Sequence, residues 1–236
     1  MRNITTVLFD LDGTLLPMDQ DRFLGAYFSL LSKKLAPRGF EPKPLMDAIW
    51  DGIRAMIRND GSKSNEAVFW DVFVQHFGRQ VVEEMPYFDE FYHTEFRHVR
   101  QSCGFKEEAA QAIAILKEKG IPAILATNPV FPSIATENRI RWAGLEPSDF
   151  ALYTTYENSR FCKPNLDYYR EILTMHGLRA EECLMVGNDV DEDMITRELG
   201  MEVFLLTDCL INRHNTDITQ FPHGGFPELI NYLRAL

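Results

Sequence analysis

At 236 residues, 45% apolar and 25% charged, the chain has the composition of a globular protein with room for one large domain, or one domain plus a smaller insert. A net charge of −11 argues against nucleic acid and anionic membrane surfaces as partners, and no apolar run is long enough to cross a bilayer. The four cysteines (Cys103, Cys162, Cys183, Cys209) are scattered without metal-type spacing, and the N-terminal residues run into a strand-like segment rather than a signal peptide, so a reduced, cytoplasmic setting is expected.

The first element is a short apolar strand, Val7-Leu8-Phe9, that runs into Asp10-Leu11-Asp12-Gly13-Thr14. If the strand persists, its period of two points Asp10 and Asp12 to one side. Two carboxylates at a strand's carboxyl end are too costly for packing alone unless something cationic lies between them. A hard cation such as Mg²⁺, which prefers oxygen ligands, fills that role.

Residues 17–105 read as helices at 19–35, 44–58, 65–77, 81–85 and 88–99, broken at 37–39, 59–61, Gly78 and Pro86, with no strand-like run between them. This segment is expected to form a helical insert. It is rich in Phe and Tyr (Phe69, Phe73, Phe88, Tyr92 and Phe96 among them), most of them expected in a bundle core and a few facing a substrate. From residue 106 the pattern alternates: a helix at 106–119, a strand at 122–127, a helix from Pro132 to near Gly144, and a strand at 152–155. A helix at 164–176 with Pro164 in its first turn follows, then a strand at 183–187, a helix at 192–199, a strand at 203–206 and a final helix at 227–235. Residues 207–226 read as a loop that could flank a crevice mouth. Such alternation predicts an α/β fold, a doubly wound parallel sheet of residues 1–16 and 106–236 covered by helices on both faces, with 17–105 as an inserted helical cap.

On an open parallel sheet the strand ends converge on one edge, where ligands bind. That edge would gather Asp10 and Asp12, Thr127-Asn128, Lys163 before Pro164, and Gly187-Asn188-Asp189 followed by Asp193. Taken singly, a strand-end Thr, a Lys before Pro and an acidic helix start are ordinary surface features. Together they suit phosphoryl transfer, in which a carboxylate attacks phosphorus, a second carboxyl handles the proton, and cations neutralise the phosphate oxygens. Local cations are required, because the net charge of the chain repels an anionic substrate.

The Asp-Leu-Asp-Gly-Thr run, the strand-terminal Thr127, Lys163-Pro164 and the Gly187-Asn188-Asp189…Asp193 strand end resemble, in order and rough spacing, the four motifs of the haloacid dehalogenase superfamily. The likeness covers residues 1–16 and about 106–206, and the insert lies where that family carries a helical cap. The resemblance implies a Rossmann-like core, Mg²⁺ as cofactor, Asp10 as nucleophile, and Asp12 as general acid/base. It implies phosphate contacts from Thr127 and Lys163, with Asn128 beside them. Metal ligation falls to Asp10, Asp12 through its backbone carbonyl, and Asp189, with Asp193 in support. The family usually places an acid directly after the Gly, where this chain has Asn188. The distance to Gly200 suits Asn188 as ligand instead, whereas a carboxylate binds Mg²⁺ better than an amide and favours Asp189.

Within that family the expectation is a Mg²⁺-dependent phosphatase acting on a small phosphorylated metabolite through an aspartyl phosphate. The dehalogenase branch lacks an acid at the position of Asp12, and a phosphonate hydrolase would need a buried cap lysine, for which Lys33, Lys34, Lys43 and Lys63 are unmarked. A phosphomutase or phosphotransferase would use the same residues, and a binding protein without turnover is the non-enzymatic alternative. Asp19, Arg22, Arg97 and Arg100, near the ends of the insert, are candidates for substrate contact.

Overall fold

Thr6–Phe9 (β1) is buried along its whole length, as a strand covered on both faces must be. The chain is described here by a computed structural model covering residues 3–236. β1 pairs in parallel with β2 (Ala123–Leu125) on one side and β4 (Cys183–Gly187) on the other, so that Val7 faces both Ala123 and Leu184. With β3 (Leu152–Tyr153), β5 (Glu202–Leu206) and β6 (His223–Gly224) these strands make one six-stranded parallel sheet in the order β3-β2-β1-β4-β5-β6. The strand order reverses between β1 and β4, and a crevice opens outside their carboxyl ends.

Alternation within β1 sends Val7 and Phe9 into one apolar cluster and Leu8 into another. The first cluster includes Ala112 and Leu116 of α5 (Glu107–Lys119), Ile140 of α6 (Ser133–Trp142), and Leu229 and Leu233 of α8 (Phe226–Ala235). The second is closed by Tyr168, Tyr169 and Ile172 of α7 (Leu166–Met175). Between β1 and α5 lie α1 (Gln20–Leu35), α2 (Pro42–Ile57), α3 (Asn65–Phe77) and α4 (Met85–His93), with no strand among them. The linkers into and out of this helical insert lie side by side: Met18 bridges Cys103, and the Gly104 N–H donates to the Pro17 carbonyl at 2.7 Å.

Several expected elements differ. Residues 81–84 belong to a 3₁₀ helix, Arg79–Glu84, Met85 opens α4, and Pro86 does not break a helix but sits in the first turn of α4, where its missing N–H is not needed. The expected helix at 88–99 splits at Thr94, whose hydroxyl donates to the Glu90 carbonyl at 2.6 Å, and resumes as a 3₁₀ helix, Glu95–Ser102. Pro164 follows a cis peptide and lies outside α7, which is capped instead by the Asn165 side chain accepting from the Asp167 N–H. Residues 192–199 form a 3₁₀ helix from Met194 to Leu199 rather than an α-helix. β6 falls inside the stretch read as a loop; two residues, one of them glycine, carry no strand signal. All four cysteines are free, and among the described residues no helix is long and apolar enough to cross a membrane.

The insert docks on the core through aromatic rings. Phe96 lies 5.1 Å from Trp142, while Phe23 and Tyr27 meet Phe131 edge-on at 6.1 and 5.5 Å. Phe96 is fully buried. Phe96→Ala is expected to destabilise the protein by about 3–5 kcal/mol, the range for a buried Phe leaving a cavity, as measured by urea unfolding. A loss below about 1 kcal/mol would show that this contact does not hold the insert down.

Candidate active site

Asp10 follows β1 directly and is tied down from both oxygens. Its Oδ1 accepts from Lys163 Nζ at 2.9 Å and its Oδ2 from the Thr14 hydroxyl at 3.0 Å. Lys163, fully buried, also donates to Asp193 Oδ1 at 2.6 Å. The other Asp193 oxygen accepts the Asp189 N–H at 3.1 Å. Burial pushes the Asp193 carboxyl upward against the pull of the Lys163 ammonium.

Two glycines make this packing feasible. Gly187 ends β4 with Asp193 lying against its α-carbon, where a Cβ would overlap the carboxylate. Gly13 has φ +88°, and a Cβ there would strike the Asn188 amide.

Asp12 occupies a different environment. Its Oδ2 pairs with the guanidinium of Arg139, and its Oδ1 is buried with no hydrogen-bond partner. Burial above all raises its pKa to about 6, opposed by Arg139 and reinforced by the charge of Asp10. Arg139 is fully buried within α6. It donates to the Thr136 hydroxyl at 3.2 Å and to the Ala135 carbonyl at 3.3 Å, and lies over the Phe131 ring at 4.6 Å. Sequence reasoning missed it. The signal was present: Ala135, Thr136, Arg139, Ile140 and Ala143 fall at helical spacing on one buried face, and Arg139 is the charge on that face.

The remaining residues converge on the same edge. Asp10, Asp12, Thr127, Asn128, Asn188, Asp189 and Asp193 all line one cavity of about 870 Å³, with Lys163 held behind Asp10. Thr127 is buried, and its carbonyl anchors the hydroxyls of Thr154 (2.7 Å) and Tyr168 (2.9 Å). Asn128 donates to Glu192 at 3.4 Å. Asn188 accepts from Thr14 and donates to the Cys209 carbonyl at 2.7 Å. Asp189 Oδ1 accepts the N–H groups of Asp191 and Glu192, and its Oδ2 pairs with Arg213 at 2.6 Å. Arg213 and Ile211 come from the loop expected at the crevice mouth. Neither the four arginine and aspartate candidates near the insert's ends nor the four cap lysines line this cavity; Asp19 caps α1, Arg97 and Arg100 are exposed, and Lys34, Lys43 and Lys63 are paired on the surface.

For a metal, the available donors are oxygens, of the kind Mg²⁺ prefers. They are the carboxylates of Asp10 and Asp189, the Asn188 amide and the main-chain carbonyl of Asp12. Among the described residues no three carboxylate, His or Cys side chains converge into a metal-binding group, so a cation here would combine side-chain and main-chain oxygens.

The sequence model of the haloacid dehalogenase-like hydrolases matches residues 4–196. No curated protein matches by sequence. Solved structures with the same fold include a 2-haloacid dehalogenase from Pseudomonas syringae pv. tomato DC3000 (21% identity, 98% of each chain, TM-score 0.66). They also include a HAD phosphatase from Thermococcus onnurineus (16% identity, 98% of each chain, TM-score 0.58). A third is the HAD-hydrolase YfnB from Bacillus subtilis bound to magnesium (16% identity, 98% of this chain and 99% of that one, TM-score 0.55).

Arg139 and Asp12 offer a direct test of the buried pair. Arg139→Met leaves the Asp12 carboxylate, whose side chain is 23% exposed, without its counter-ion. A loss of about 3 kcal/mol is expected at neutral pH, the lower end for breaking a buried pair. The double variant Arg139→Met/Asp12→Asn should recover much of it; purely additive losses in the urea cycle would show that the two are not coupled.

Proposed function

The chain belongs to the haloacid dehalogenase-like hydrolases, and from that premise we propose that it is a Mg²⁺-dependent phosphatase working through an aspartyl phosphate on Asp10. The observation that carries this reading is the division of labour between two neighbouring carboxyls on one cavity wall. Asp10 is held through both oxygens by Lys163 and Thr14, as a nucleophile should be. Asp12 keeps an oxygen without a partner, as a proton carrier needs. A dehalogenase has no use for a second acid, because a halide leaves without a proton.

An oxygen of Asp10 would bond to phosphorus as the bond to the leaving alcohol breaks, and Asp12 would give that alcohol its proton. Water would then attack the acyl phosphate, with Asp12 taking back a proton and inorganic phosphate leaving. Lys163 orients Asp10 and offsets its charge. Thr127 and Asn128, just past the end of β2, would contact phosphate oxygens. Mg²⁺, held by Asp10, the Asp12 carbonyl and Asp189 or Asn188, would supply charge neutralisation of the phosphate; YfnB, which shares the fold, is itself bound to magnesium.

Phosphate release from a panel of monoesters is expected to require Mg²⁺ and to stop with EDTA. Asp10→Asn should abolish it and Asp12→Asn should slow it at least ~10²-fold, the scale of general acid/base loss. Halide release from 2-haloacids without phosphate release would overturn the reading.

A further inference from the structure

The cavity that begins at Asp10 and Asp12 does not end at the sheet edge. It continues between α1, α2, α3 and α4 of the insert, and there its walls are Tyr27, Trp50, Phe69, Trp70, Phe88 and Tyr92. At about 870 Å³ the whole space lies near the upper end for small-molecule sites. The rings brace one another edge-on: Phe69 to Trp70 at 5.6 Å and Trp70 to Phe88 at 5.4 Å. The hydroxyls of Tyr27 and Tyr92 meet at 2.8 Å, one donating to the other.

Carboxylates outnumber basic groups on this wall. Glu66, Asp89, Glu137 and Glu157 line it. Burial, then the proximity of Glu157, raises the Glu66 carboxyl. Glu157 already accepts the Ser133 N–H at the start of α6 through both oxygens, and Glu137 accepts from Tyr153. The basic groups on the wall are committed. Arg213 pairs with Asp189, and the His93 ring contacts the Asp89 carbonyl at 3.0 Å, with the Asp89 carboxylate 3.6 Å away. Among the described residues, nothing on the inner wall offers a free cation to a second phosphate or a carboxylate, and such a group would have to be desolvated against carboxylates.

We propose that this inner chamber holds the leaving alcohol, and that the substrate is a phosphate monoester of a bulky, largely apolar alcohol carrying no second anionic group. The inference rests on the phosphatase reading for the word "leaving". The selectivity of the chamber itself does not. An apolar body gains by leaving water for the aromatic wall. A short, doubly charged ester leaves most of the chamber unfilled and brings a like charge to Glu66 and Glu157.

Two readouts test it. In calorimetry, wild-type protein without added metal is titrated with naphthol and, separately, with naphthoate. Naphthol should bind at least ~10-fold more tightly, and Ile53→Trp, which fills part of the chamber, should abolish that binding. In turnover, naphthyl phosphate should exceed its carboxylated analogue and phosphoglycolate in kcat/KM by ~10-fold or more. Glu66→Gln should narrow the gap in kcat/KM between the two naphthyl esters. Naphthol binding with no phosphate release from any ester would sink the phosphatase reading and keep the chamber's selectivity. Phosphate release with phosphoglycolate or the carboxylated ester equal or better would do the reverse. Failure of naphthol to bind, or equal binding of naphthoate, also overturns the inference; Glu66→Gln keeps the charge argument testable if Ile53→Trp does not fold.

Discussion

A single buried ammonium organises the carboxyl edge of this sheet. Lys163, wholly out of water, stands between Asp10 and Asp193, and neither carboxylate could be held there without it. The geometry of β4 follows from that contact, since Asp193 reaches Lys163 only by lying across Gly187. The turn after β1 follows too. Thr14 must bridge Asp10 and Asn188, and Gly13 must leave room for the Asn188 amide. The same solution recurs outward from Lys163: Asp12 is given Arg139 and Asp189 is given Arg213. An acidic chain thus builds an acidic crevice in which Asp10, Asp12, Asp189 and Asp193 each meet a cation at short range, where screening by salt is weak.

How much of this the sequence disclosed depends on the range of the interaction. Asp10, Asp12, Thr127, Lys163 and Asp193 were legible because each sits at the end of an apolar strand or beside a turn residue, and parallel topology then brings strand ends to one edge. Arg139 was legible in principle, by its place on a buried helix face, but strand-end logic does not look there. Arg213 was not, because a loop without periodicity gives no direction to its side chains. Residues 81–99 were misassigned where proline and threonine act through local geometry: Pro86 is harmless at a helix start and Thr94 interrupts one.

The aromatic residues of the insert show the same limit. Helical spacing marks them as inward-facing, but the inside of this bundle is partly packed core and partly chamber wall. Phe73, Phe91 and Phe96 are core, whereas Tyr27, Phe69 and Phe88 line the space above the crevice. That distinction arises only when four helices are set at particular angles to one another and to Phe131. The shape of the chamber therefore lies in interhelical packing, whereas the strand-end edge lies in local strings.

The bridge between the two insert linkers bears on how the chain folds. β1 and β2 are neighbours in the sheet, with Val7 opposite Ala123, yet the whole insert separates them along the chain. Pairing them from an open coil would close a very long loop, and long-range pairing slows folding even though each doubling of loop length adds only about 0.6 kcal/mol. With Met18 against Cys103 and Gly104 joined to Pro17, a folded insert brings its own two ends together. The helical insert then acts as a staple for the central strand pair: once it has collapsed, β1 and α5 are already adjacent, and the sheet has only a short distance left to close.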